Sequence, residues 1–246
     1  GVHHCQPRLC YRITAAGACS RRRPAGKTTE QREAVLSDRP TMLNVLEARR
    51  RIAPYITRTP LHHYPALDAL IGAGVYVKHE NHQPQGSFKI RGALNVISQL
   101  PEDERRSGVV VASTGNFGQG IAYAAGVFDV EANVVVPVDA NPDKVDSMRR
   151  LGATLIFHGR DFDESREHAE RLAREEGYRY IHSANEPALI PGVATLTLEI
   201  IEDLPDVDVI VVPVGGGSGV GGACIVAKAV DPRKQVIAVQ AASAPA

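Results

Sequence analysis

Val207-Asp208-Val209-Ile210-Val211-Val212-Pro213-Val214-Gly215-Gly216-Gly217-Ser218-Gly219-Val220-Gly221-Gly222 decides how the rest of the chain is read. Its first half is rich in β-branched residues, as in a parallel-sheet strand covered on both faces. Its second half is a glycine turn that opens a helix, predicted over Val220 to Ala229. Glycines in that position let backbone N–H groups close around a phosphate, and the helix start adds a favourable field. A flexible linker would not directly follow a core strand. Gly217, Gly219 and Gly222 also satisfy G-x-G-x-x-G, the dinucleotide pattern. That reading wants an acidic residue at the end of the next strand, and the next strand, Val236 to Val239, ends in Gln240. Dinucleotide loops also usually sit in the first β-α unit of their fold, and this one lies late in the chain.

Upstream of this stretch, strand and helix patterns alternate with short connections. Val75 to Lys78, Val109 to Ala112, Val134 to Val138, Thr154 to Phe157 and Tyr180-Ile181 read as strands. Helical patterns carry Leu43 to Ile52, Ile90 to Ile97, Gly115 to Gly126, Pro142 to Leu151, Glu164 to Glu176 and Ala194 to Ile201. The alternation predicts an α/β fold with a mostly parallel sheet and helices on both faces. Residues 1–40 stand apart: they are basic, carry no acid before Glu30 and show no apolar period. They read as a disordered tail or leader.

The formal net charge is zero, which gives no reason to expect nucleic acid or a charged membrane surface as partner. No apolar run approaches the roughly 20 residues of a membrane span. Three of the four cysteines, Cys5, Cys10 and Cys19, lie in the tail. That is not a disulfide framework, and a reducing cytoplasm is the expected setting. His3 and His4 beside Cys5 read as tail residues rather than a zinc site.

Two more stretches carry chemistry. In Gly86-Ser87-Phe88-Lys89-Ile90-Arg91-Gly92-Ala93, Lys89 falls in the first turn of a predicted helix. A cation is electrostatically misplaced there, and a lysine with a lowered pKa can form an imine. On its own this reads first as a solvated surface lysine. In Ala112-Ser113-Thr114-Gly115-Asn116-Phe117-Gly118-Gln119-Gly120, a strand ends in hydroxyls and a Gly-Asn turn before a helix. The N–H groups of such a start can hold a carboxylate. A helix cap alone would account for one of these polar residues but not for the cluster.

Taken together and in order, the three stretches resemble the fold-type II enzymes that use pyridoxal 5′-phosphate (PLP), in particular the threonine and serine dehydratases, with serine racemase nearby. Lys78-His79-Glu80-Asn81-His82-Gln83-Pro84-Gln85-Gly86-Ser87-Phe88-Lys89 is similar to that family's lysine segment almost throughout. Thr57-Arg58-Thr59-Pro60-Leu61, Asn141-Pro142-Asp143-Lys144-Val145, Arg150-Leu151-Gly152-Ala153 and Asn185-Glu186-Pro187 support it. The resemblance covers about residues 42–246.

The resemblance implies a tryptophan-synthase-β-like fold of two domains, a larger one from residues 42–106 and 179–246 and a smaller inserted one from 107–178. It implies that Lys89, beside Phe88, carries PLP as a Schiff base and moves the α-proton. Asn116 would contact the phenolic oxygen, and Gly215, Gly216, Gly217, Ser218 and Gly219 would hold the phosphate. Ser113, Thr114, Gly115, Asn116 and Phe117 would receive the substrate carboxylate. The implied reaction is dehydration and deamination of L-threonine or L-serine to a 2-oxo acid and ammonia, in a homodimer. Thr114 stands where dehydratases often carry Ala and the racemase Ser; a hydroxyl there keeps racemisation open. Gln240 replaces a metal-binding Glu of the racemase, so no metal is expected. The family's partner for the pyridine nitrogen would fall beyond Ala246. A shortened chain that binds phosphate ligands without catalysis is the remaining alternative.

Overall fold

A computed structural model of the chain describes residues 39–242; the expectations for residues 1–38, including Cys5, Cys10 and Cys19, lie outside the described residues. In chain order the elements are α1 (Met42–Ile52), β1 (Leu61–His63), α2 (Pro65–Ile71), β2 (Tyr76–Lys78), α3 (Lys89–Ile97), α4 (Glu102–Ser107), β3 (Val109–Ala112), α5 (Asn116–Phe128) and β4 (Ala132–Val136). They continue with α6 (Pro142–Arg150), β5 (Thr154–Phe157), α7 (Phe162–Glu176), β6 (Arg179–Tyr180), α8 (Leu189–Asp203), β7 (Val209–Pro213), α9 (Ser218–Val230) and β8 (Gln235–Val239).

The strands form three sheets: a parallel four-stranded sheet in the order β5-β4-β3-β6, a parallel pair β7-β8 and an antiparallel pair β1-β2. Alternation along β3 and β4 explains the layering. Val109, Val111, Val134 and Val136 join the largest core cluster, which includes residues of α3 and α5. Val110, Ala112 and Val135 point to the other face and pack on Ala169 of α7. Both faces of these strands are therefore apolar and covered, which is why every residue of β3 and β4 is buried. A separate cluster joins Val45 of α1, Ala194, Leu198 and Ile201 of α8, Ile210 of β7, and Val226 and Ala227 of α9.

Two expectations need correction. Arg179 and Tyr180, assigned from sequence to the larger unit, lie in parallel register beside Val109 and Val110 of β3 and extend the four-stranded sheet. A two-residue strand leaves too little periodicity for sequence to place it. The strand ending in the glycine turn was expected to be covered on both faces. Among the described residues one face is open, with Val209 41% and Val211 62% exposed. The strand read over Val75 to Lys78 is β2, but β1 and its antiparallel pairing with β2 had no counterpart in the sequence reading, because a three-residue strand such as Leu61-His62-His63 carries no alternation to recognise.

Candidate active site

Lys89 is the first residue of α3. The turn before it is set by Ser87, whose Oγ accepts from the Lys89 backbone N–H at 3.2 Å. The Phe88 ring centroid lies 5.0 Å from Nζ. Burial of the amine lowers its pKa from the ordinary lysine value, because desolvation penalises the charged form. The helix-start field invoked from sequence pushes the same way.

The loop leading to Lys89 is tied down by a buried charge cluster. Arg91, fully buried, donates from Nε and Nη2 to the Glu80 carboxylate, each at 2.8 Å. It also donates to Glu199 of α8, from Nη1 at 2.7 Å and Nη2 at 2.9 Å. Lys78 Nζ completes the set with Glu199 at 2.6 Å, and the Thr59 hydroxyl donates to Glu80 at 2.6 Å. Two cations face two carboxylates, so the cluster is neutral as a whole and its charges can remain out of water. Sequence reasoning gave none of these residues a role. The only trace in the sequence is Arg91 itself, a charge among the apolar residues of α3; its partners are brought to it by the fold.

The loop before α5 divides its polar groups between structure and cleft. Ser113 is buried, and its Oγ accepts from the N–H groups of Gly118 at 2.8 Å and Gly115 at 3.2 Å. Its hydroxyl builds the turn, a role that the sequence reading did not give it. The reason is the need of a helix start for an acceptor. Among the described residues nothing accepts from the N–H groups of Thr114, Asn116 or Phe117. Thr114 and Asn116 are exposed, while the Phe117 side chain is in the core. Asn116 Oδ1 accepts from Lys144 Nζ of α6 at 2.9 Å, a partner that sequence reasoning missed.

The third loop leaves β7 after a last ladder bond, from Val214 N–H to Val239 O at 2.8 Å. Among the described residues no acceptor meets the N–H groups of Gly215, Gly216 or Gly217. Gly217 has φ of +87°, a conformation that a residue with a side chain adopts only at a cost. It turns the chain into α9, whose first residue, Ser218, is buried. A Cβ built on Gly215 or Gly217 would meet nothing within 4 Å, so the loop faces open space with its donors unspent.

Helix contacts join the three stretches. A Cβ on Gly120 of α5 would lie 3.2 Å from the carbonyl carbon and oxygen of Lys89. A Cβ on Gly192 of α8 would lie 2.9 Å from the Gly92 Cα of α3 and 2.8 Å from the Asn95 Cβ. A Cβ on Gly222 of α9 would lie 2.9 Å from the Ala194 Cα of α8. The missing side chains let α5, α3, α8 and α9 approach backbone to backbone. The Asn116 turn, Lys89 and the glycine loop are thus carried by helices in sequential contact.

A family model described as "Pyridoxal-phosphate dependent enzyme" matches residues 52–246. The chain belongs to this family of PLP-dependent enzymes. An L-threonine ammonia-lyase of Thermotoga maritima is 44% identical over 205 residues, covering 83% of this chain and 51% of that protein. Maize serine racemase superposes with a TM-score of 0.78 at 34% identity, covering 80% of this chain and 60% of that one. A threonine deaminase of T.th. superposes with a TM-score of 0.76 at 37% identity, covering 82% of this chain and 65% of that one. The chain therefore spans about half the length of the ammonia-lyase it matches.

The residues present fit PLP. Its aldehyde needs an amine that loses its proton readily, and Lys89 is desolvated. Its phosphate needs several donors before an open space, and the Gly215–Gly217 turn has them. Its phenolic oxygen needs a donor, and the amide of Asn116 still has its Nδ2 hydrogens available because Oδ1 is the atom facing Lys144. Among the described residues no helix is long and apolar enough to cross a membrane.

Proposed function

We propose that the protein is a PLP-dependent ammonia-lyase that converts a β-hydroxy amino acid, L-threonine or L-serine, to a 2-oxo acid and ammonia. The observation that carries this reading is the desolvated Lys89 amine at the start of α3, with Gly120 of α5 against its backbone. PLP, when bound, supplies the electron sink for the pair left on Cα after proton removal. Lys89 is the group for attaching the cofactor and for holding and moving the α-proton at Nζ. The N–H groups of Thr114, Asn116 and Phe117 suit the substrate carboxylate, and fixing that group orients the Cα–H bond. The turn at Gly215, Gly216, Gly217, Ser218 and Gly219 suits the cofactor phosphate. The α-proton would pass to Lys89 Nζ and be given up to the departing β-hydroxyl, which leaves as water, and hydrolysis of the enamine released would give the oxo acid and ammonia.

The similarity to threonine ammonia-lyases supports this reading over racemisation. A racemase reading draws on the exposed Thr114 hydroxyl, a group that can hold a proton on its side of the substrate. The setting implied is a cytoplasmic homodimer acting on free amino acids. Reduction of the PLP-loaded chain with borohydride, followed by peptide mass analysis, should place the adduct on Lys89. Incubation with L-threonine and L-serine should then yield oxo acid and ammonia. An unlabelled Lys89 sinks the proposal, and D-amino acid without ammonia replaces it with the racemase.

A further inference from the structure

We infer that Lys144 is a positioning residue, which fixes the amide of Asn116 so that only its Nδ2 hydrogens face the cofactor's phenolic oxygen. The inference rests on the functional reading above, since it needs PLP in the cleft. An asparagine amide has a donor end and an acceptor end of nearly equal size, and rotation by a half-turn exchanges them. Left alone at an exposed helix start, Asn116 would present either end. Lys144 removes the choice. An ammonium has donors and no acceptor, and Nζ stands 2.9 Å from Oδ1. The reversed amide would set two donors against each other. With Oδ1 held by a cation, Nδ2 is turned away from Lys144, and the polarised amide becomes a better donor at that end.

The frame around Lys144 is rigid enough to impose this. Asn141 caps α6, its Oδ1 accepting from the N–H groups of Asp143 at 2.9 Å and Lys144 at 3.3 Å. Val145 and Met148, on the inner side of α6, are buried in the largest core cluster. Met148 lies against the start of α5, where a Cβ on Gly118 would stand 2.5 Å from its Sδ. The backbone that carries Lys144 is thereby docked on the helix that carries Asn116, one turn from the point of contact. The side chain itself remains at the surface, so replacing it disturbs no core.

The test uses three variants of the full chain: Lys144→Arg, Lys144→Met and Lys144→Glu. The readouts are the dissociation constant for PLP, by fluorescence titration, and the balance of visible and near-ultraviolet absorbance of bound PLP, which reports the protonation of its phenolic oxygen. Arginine keeps the donor and should bind and absorb as the parent does. Methionine leaves the amide free to turn and should weaken PLP by about fivefold, the worth of one hydrogen bond. Glutamate accepts from Nδ2, turns Oδ1 toward the cofactor, and should be the weakest of the three, with the largest shift of absorbance. Equal affinity and spectra in the three variants would overturn the inference. So would equal loss in all three, arginine included, because the donor would then not be what matters. PLP that attaches to Lys89 of the parent, with variants that do not differ, refutes the role of Lys144 and leaves the functional reading standing; a parent that never attaches PLP refutes that reading instead.

Discussion

Lys89 and Arg91 sit two residues apart on α3 and solve opposite problems. Lys89 has been taken from water without a carboxylate to hold its charge, and burial lowers its pKa from 10.5. Attachment of PLP should therefore reach half its maximal rate at a pH below 10.5, measured by stopped-flow absorbance over a pH series. The same shift acts on stability. Between the lowered value of the folded chain and 10.5 the unfolded chain binds the proton that the folded chain has lost, so stability rises with pH across that window. Below the lowered value the cost of burying the cation is present in full. Lys89→Met should thus stabilise the PLP-free chain most at neutral pH, with the gain shrinking toward pH 10.5, in denaturant midpoints; a gain independent of pH would refute this account. Arg91 by contrast is held by Glu80 and Glu199. Arg91→Met would leave the buried Glu199 with Lys78 as its cation and the largely buried Glu80 with none, and should cost about 3–5 kcal/mol in urea unfolding. The place of Lys89 at a helix start was legible in sequence, whereas the charge cluster was not. Its members lie at positions 78, 80, 91 and 199, and only folding brings the last to the others.

At the scale of elements, the site depends on how closely helices approach. Gly120 and Gly126 lie on the same helix, α5, and make a controlled comparison. A Cβ at Gly120 would press on the Lys89 backbone at 3.2 Å, whereas one at Gly126 has only the Leu151 carbonyl, at 3.7 Å. Gly120→Ala should destabilise the chain by about 1–3 kcal/mol through overpacking and slow PLP attachment. Gly126→Ala should stabilise it by about 0.5–1 kcal/mol, because alanine loses less entropy in a helix. Thermal unfolding of the two variants decides between them, and a stable Gly120→Ala chain would mean that the helices have room to part. The sequence displayed the glycines but not which of them mark contacts. Small residues in a helix look alike until a partner helix is in place, and the partners here, such as α3 and α8, are separated by about ninety residues.

At the scale of the molecule, the alternation of strands and helices was sufficient to establish the α/β class, because β3 and β4 are apolar on both sides and α7 covers what α5 does not. The extent of each sheet was harder to read. A strand of two residues, β6, extends the four-stranded sheet, and the pair β7-β8 keeps one face of β7 open among the described residues. Local pattern reports whether a segment can enter a sheet, while membership depends on which edge is near. The contact at Gly120 has a mechanical meaning for the whole assembly. It puts a point of α5 directly on the backbone of the residue that would bear the cofactor. Any tilt of the four-stranded sheet about that point would leave Lys89 in place and swing the turn at Asn116, about 6 Å away along the helix axis, as the short arm of a lever. A rotation of about ten degrees would carry it through about 1 Å, roughly the margin within which reacting groups must be aligned. Lys89 would then stay still while the turn at Asn116, proposed above to receive the substrate carboxylate, shifts.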